Sequence, residues 1–277
     1  MLTFYFCYNR RTSLFFGVVV DRKSRWRSKK LSGKRIKGSP LHYPPQSMVL
    51  EPVMPIIDSM IKETESAVLR GRLTPDAAAQ KIKELSDRFH GEFERKMEDW
   101  TRLLDEKSII STSRSFNQIA KGLQLDTSML SGELNQVFRA VTKENVGLFK
   151  TISSVHFAKV ETAVMDSIIS GKGLEDLLPF FESHNPGIRS YAIDRAMDQT
   201  RKAYTSLNLD RMKKAGIERF EWLHSKRSAQ SRKLHIELSG QEFDIVNPPY
   251  IGDMYGEKIY GFPGQLPNCG CIMKPVY

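Results

Sequence analysis

The sequence predicts an α+β protein, with a long helical N-terminal region followed by a small C-terminal domain built on a short β-sheet. Three observations carry this. From Pro55 to Lys214 apolar residues recur at three- and four-residue steps, the helical period. After Phe220 the period shortens to two, as in a half-buried strand. The last quarter, Phe220 to Tyr277, alone gathers His, Cys, Trp, Gly and Pro, the residue types of sites and tight turns. The expected division is a disordered basic tail over 1–47, a helical region over 48–185 and a C-terminal domain over 186–277.

Charge defines the tail. The chain has 277 residues and a formal net charge of +10. Eleven basic residues and one acid, Asp21, precede Met48, so the remainder balances to neutral. The run Arg22, Lys23, Arg25, Arg27, Lys29, Lys30, Lys34, Arg35 and Lys37 has the composition of a solvated arm and supplies candidate contacts to DNA phosphates. The other reading is a floppy extension, with Met48 as the natural beginning. The apolar stretch Leu14–Val20 is far shorter than a membrane span, and charge follows it rather than preceding it as in a signal peptide. His42-Tyr43-Pro44-Pro45 reads as an extended linker. Three cysteines do not make a disulfide framework and suit a reducing compartment.

The helices follow in order. Ile57, Met60, Ile61, Thr64 and Val68 share one face, and Gly71 ends that helix. Thr74-Pro75-Asp76 restarts one: Thr caps, Pro suits the first turn and Asp favours the positive end of the dipole. Ala78, Ile82, Leu85, Phe89, Phe93, Met97, Trp100 and Leu104 then form a core stripe over about thirty residues. Ser108–Ser115 reads as a polar break, with short helices around Phe116–Lys121 and Gly132–Val141. Thr142 is expected to cap a further helix with Val146, Phe149, Ile152, Val155, Val160, Val164 and Ile168 on its face, ended by Gly171 and Gly173. His156 in that helix reads as a surface or satisfied core histidine. Leu174 begins a short helix, His184-Asn185-Pro186-Gly187 signals a turn, and Tyr191–Lys214 is the last helix.

The C-terminal stretch suggests strands at Phe220–His224 and Gly240–Ile245, a long surface loop over Gly252–Gly264, and a last edge strand after Cys271. Its landmarks are Ala215-Gly216-Ile217, Trp222, His235, Leu238-Ser239-Gly240 and Pro267-Asn268-Cys269-Gly270-Cys271. In this order they resemble the C-terminal pattern of the phage Mu F-like minor head protein family, also called phage head morphogenesis proteins. The likeness covers about the last ninety residues, including the helix before Trp222. It departs from the family pattern at Ser225–Ser228, where an acidic residue is usual, at Arg232, where a ligand-like residue is usual, and at Gly270, the middle of a usual C-R-C.

The resemblance implies a non-enzymatic minor head (capsid) protein acting in head morphogenesis. It would be a virion component that passes through the host cytoplasm during assembly. Portal, capsid and scaffold proteins are its implied partners, with DNA reached through the tail and no membrane involved. The structural motif it marks is Trp222, Arg232, His235, Gly240, Pro267, Asn268, Cys269 and Cys271. Arg195, Gln199 and Thr200 on the preceding helix are expected to hold the C-terminal loops.

Two chemical readings of the motif stand beside this. His224, His235, Cys269 and Cys271 carry donors of the kind zinc uses. A single Cys-x-Cys with a distant His is a weak zinc signal, and the preferred expectation is no cofactor, with the cysteines packed on one strand face and His235 capping a loop. His224, Arg227, Arg232 and His235 would equip a nuclease or toxin-like enzyme built on the C-terminal domain; ADP-ribosyl transfer is a weaker enzymatic alternative. No P-loop, dinucleotide turn, serine elbow or His-Glu-x-x-His is present. Whether held by zinc or by packing, His235 and the two cysteines are expected to meet near the Trp222 strand.

Overall fold

The computed structural model describes residues 35–70, 73–123, 135–170, 174–225 and 231–277. It is α+β, with long helices first and a small antiparallel sheet at the end. The helices are α1 (Gln46–Leu50), α2 (Met54–Arg70), α3 (Pro75–Leu123), α4 (Asn135–Ile169), α5 (Leu178–Lys214, entered through a 3-10 turn at Leu174–Leu177) and α6 (Lys233–Glu237). The strands are β1 (Arg219–Leu223), β2 (Glu242–Asp244), β3 (Tyr250–Met254), β4 (Glu257–Tyr260) and β5 (Ile272–Val276). No helix among the described residues is long and apolar enough to cross a membrane.

Helix α3 starts where the sequence says. Thr74 Oγ1 accepts the backbone N–H of Ala77 at 3.3 Å, satisfying one of the free donors of the first turn. The expected stripe is buried from Ala78 through Leu104. It packs on α4, with Phe93 stacked on Phe149 and Trp100 edge-on to the same ring.

The helix does not break at Ser108–Ser115. It runs 49 residues, about 74 Å. The hydroxyls fold back on their own helix: Ser108 Oγ donates to the Asp105 carbonyl at 3.0 Å and Thr112 Oγ1 to the Ser108 carbonyl at 2.8 Å. The polar stretch is an interface, not a loop. The buried Arg211 guanidinium of α5 donates to Ser108 and pairs with Asp105, and Ser115 donates to the Ser39 carbonyl at 2.8 Å. Likewise Thr142 lies inside α4, bonded to the Phe138 carbonyl at 2.9 Å, and caps nothing. Gly71, Gly132, Gly171 and Gly173 lie outside the described residues.

The expected turn at Pro186 is also absent, so the boundary between 185 and 186 falls inside α5. Proline deletes one helical hydrogen bond, but the flanking residues are held from outside. Asn185 Nδ2 donates to Glu65 on α2 at 2.8 Å, Arg189 pairs with Asp58 at 2.9 Å, and His184 stacks on His156 of α4. His156 is wholly buried, and its ring nitrogen lies 3.1 Å from that of His184.

The tail expectation fails in its last part. Residues 35–47 belong to the body, and Arg35–Tyr277 forms one compact unit. The segment 36–41 runs beside β5 as a strap: Gly38 N–H donates to the Pro275 carbonyl at 2.9 Å and Leu41 N–H to the Met273 carbonyl at 2.8 Å. Leu41 sits in the core of the C-terminal module with Phe116 and Ile119 of α3 and Leu209 and Met212 of α5. Nor is β5 an edge. The sheet order is β2-β1-β5, with Phe220 opposite Phe243 and Trp222 opposite Met273, and the strap covers the far side of β5. The stretch expected as a long loop folds as the β3–β4 hairpin, turned at Tyr255-Gly256 with φ of 54° and 83°. Positive φ at both positions matches the twist of a tight hairpin.

Candidate functional site

The C-terminal motif converges on a buried group. His235, on the short helix α6, directs Nδ1 at two sulfurs: Cys269 Sγ at 3.4 Å and Cys271 Sγ at 3.7 Å. All three side chains are 3% exposed, and their donor atoms lie within 4.8 Å of one another. The convergence expected from the order of the motif is present for three of the four candidates. His224 is not in the group; its backbone N–H donates to Ser239 Oγ at 3.0 Å.

The local fold explains the meeting. β1 brings Trp222 under the site, where its ring lies edge-on to His235 with centroids 5.1 Å apart. Gly240, at φ 83°, turns the chain after α6 and donates its N–H to the Trp222 carbonyl at 2.8 Å. The hairpin then carries the chain away and back, and β5 begins only at Ile272. Cys269 and Cys271 therefore lie on the return segment before the strand, not on a strand face as the packing reading supposed.

That return segment is tied down at each step. Arg232 Nη2 donates to the Pro267 carbonyl at 2.9 Å, and Asn268, itself at φ 58°, donates its N–H to Asp198 Oδ1 at 2.8 Å. Thr205 Oγ1 donates to the Pro263 carbonyl at 2.8 Å, and Tyr43, just beyond the strap, donates to the Cys271 carbonyl at 2.8 Å. Gly270 packs against the Ser225 hydroxyl, which a Cβ there would meet at 2.6 Å.

The residues on α5 that hold these loops are thus Asp198 and Thr205. The expected Arg195, Gln199 and Thr200 do other things. Arg195 stacks on Tyr191, Thr200 bonds its own helix at Ala196, and the buried Gln199 Nε2 has no partner among the described residues. Asp198 adjoins Gln199 on the same helix, but two adjacent helical positions point different ways. Tyr43 left no sequence signal.

The tautomer of His235 follows from its neighbours. Nε2 lies 2.9 Å from the Ile251 carbonyl, which can only accept, so Nε2 carries a proton and Nδ1 is the nitrogen turned to the sulfurs. The sulfurs in turn sit among N–H donors. The Gly264 N–H points at Cys269 Sγ at 3.4 Å, joined by the backbone N–H of Cys271. The Ser225 backbone N–H and the Trp222 indole, whose Nε1 has no other partner among the described residues, act on Cys271.

The two thiols share their protons unequally. The Cys271 thiol, by hydrogen-bonding to it, pulls the Cys269 thiol well below the usual range against the cost of burial, and the resulting thiolate together with burial pushes Cys271 up. The group gives up one proton easily and a second only with difficulty. Chemically it is an inward-facing donor set of two sulfurs and one imidazole.

The remaining candidates fall elsewhere. Arg227 lies outside the described residues, as do Arg22, Lys23, Arg25, Arg27, Lys29, Lys30 and Lys34. Arg35 and Lys37 are described, and both are ion-paired to the sheet. Arg35 pairs with Glu242 at 2.7 Å, and Lys37 with Glu221 at 2.7 Å and Glu242 at 3.1 Å. They balance the acidic side chains of β1 and β2.

No family model matches the chain, and no solved structure matches it. It is similar to an uncharacterized protein of Haemophilus influenzae, 30% identical over 146 residues, which are 53% of this chain and 31% of that protein. The chain therefore spans about a third of the length of this relative.

Proposed function

We propose that this protein is a minor head protein of a tailed phage, a non-enzymatic component that acts in head morphogenesis beside the portal and the capsid or scaffold. The observation that carries the reading is the motif itself. Trp222, Arg232, His235, Gly240, Pro267, Asn268, Cys269 and Cys271 occur in the order of the Mu F-like pattern, and they lie together in one module rather than scattered over the surface. The long helices α3, α4 and α5 supply the contact surface for a ring-shaped partner. The basic residues before Arg35 are the proposed route to packaged DNA, and the virion is the proposed destination.

His235 supports the non-enzymatic reading. It is buried with Nε2 on a carbonyl and Nδ1 on two sulfurs, so it offers no free nitrogen to a substrate proton. The test is co-expression with candidate portal and scaffold proteins of the same genome, followed by affinity isolation of the portal ring. Retention of the full chain on the ring through size exclusion is expected. Failure to associate with the portal, the scaffold and the capsid protein alike would remove the proposal.

A further inference from the structure

We propose that His235 Nδ1, Cys269 Sγ and Cys271 Sγ hold a zinc ion that ties the return segment of the C-terminal module to α6. Geometry comes first. Tetrahedral zinc with Zn–S of about 2.3 Å and Zn–N of about 2.0 Å places nitrogen and sulfur ligands about 3.5 Å apart and two sulfurs about 3.8 Å apart. The Nδ1 to sulfur separations are 3.4 and 3.7 Å, and the whole donor set lies within 4.8 Å.

The surroundings are those of a ligand set. A metal-binding histidine characteristically donates its other ring N–H to a carbonyl or carboxylate, which fixes the tautomer that presents the lone pair. Ile251 does this for His235 at 2.9 Å. The N–H groups of Gly264, Ser225 and Cys271 and the indole of Trp222 all act on the two sulfurs. The Trp222 Nε1 is buried and otherwise unpartnered, and a thiolate gives it an acceptor of full charge. Two adjacent buried thiolates repel each other, and a divalent cation between them removes that conflict.

The donor set chooses the metal. Two thiolates and an imidazole suit zinc, whereas magnesium and calcium need several oxygen ligands. Among the described residues no aspartate, glutamate or further histidine joins the group. Three protein ligands leave the fourth position to water. The cysteines lie 34 and 36 residues from His235 along the chain, so the ion would close the loop that contains α6's exit, β2 and the β3–β4 hairpin. This inference does not depend on the head-protein reading.

The experiment uses the full chain without a histidine tag, purified with zinc in the medium and then desalted. Mass-spectrometric elemental analysis is expected to find about one zinc per chain. After zinc is removed with a chelator, titration with cobalt(II) is expected to produce a thiolate-to-cobalt charge-transfer band. Cys269→Ser, Cys271→Ser and His235→Ala should each weaken or abolish that band, with folding of each variant checked by circular dichroism. The cobalt titration of the unaltered chain stands whether or not a variant folds. Absence of retained zinc together with absence of the cobalt band in the unaltered chain overturns the proposal. So does a band that survives unchanged in folded Cys269→Ser and Cys271→Ser.

Discussion

Leu41→Ala should destabilise the whole C-terminal module, although Leu41 lies in the stretch whose composition reads as a solvated tail. The side chain is 2% exposed and sits in the core with Phe116, Ile119, Leu209 and Met212. Truncating a buried leucine costs about 2–5 kcal/mol, from the transfer energy forgone and the cavity left behind. A value of about 3 kcal/mol is expected here, because α3, α5 and the sheet fix three sides of the site and limit its collapse. Tyr43→Phe removes one donor, to the Cys271 carbonyl, for about 1 kcal/mol. Gly38→Val should act through overpacking, since a Cβ there would stand 3.0 Å from the Ser115 carbonyl oxygen of α3. Urea unfolding followed by tryptophan fluorescence measures all three. With a slope of about 3 kcal/mol per molar, Leu41→Ala lowers the midpoint by about 1 M and Tyr43→Phe by about 0.3 M. Ile110→Ala, at an exposed position on α3, serves as the control and should leave it in place. A Leu41→Ala midpoint equal to that of the control would refute the strap as part of the fold.

Other outcomes follow from the same packing. Burial, and then the charge of His184, lowers the His156 pKa from its ordinary 6.5 to about 3. The neutral form is thus the folded one; its contribution is complete above pH 6.5 and declines as pH falls from there toward 3. At pH 5 the loss is about 2 kcal/mol relative to pH 7, and His156→Leu should flatten this part of the stability profile measured by urea midpoints. Asp105→Ala leaves the Arg211 guanidinium buried without its counter-charge and should cost about 3 kcal/mol, whereas Asp105→Leu combined with Arg211→Met should recover most of it in the same assay. Replacing Arg35 and Lys37 by Gln should leave DNA affinity and its salt dependence unchanged in filter binding, because both already serve β1 and β2. Neutralising Arg25, Arg27, Lys29 and Lys30 should lower the salt slope by about 0.9 for each phosphate that is no longer neutralised.

The helical stripe from Ala78 to Leu104 and the period-two run at Phe220–Leu223 could be read directly, because one face of each meets a core and the period records it. Ser108, Thr112 and Ser115 could not. Their composition is that of a loop, and only partners distant in the chain, the buried Arg211 and the Ser39 carbonyl, make a polar stretch of α3 useful as an interface. Pro186 misled for a related reason: contacts from α2 and α4 outweigh one missing backbone hydrogen bond. Within the site, the order Trp, His, Cys-x-Cys was enough to expect a meeting near β1. The atoms that orient it, the Ile251 carbonyl and the Gly264 N–H, belong to the backbone, and their placement depends on the hairpin and turns rather than on residue type.

The functional reading is tested most directly by quantitative mass spectrometry of gradient-purified phage particles and their assembly intermediates. The account predicts peptides of this chain in the head or prohead fractions, at a few copies per portal ring. Their absence from every particle and intermediate fraction, with the protein present in the cell lysate, would contradict it.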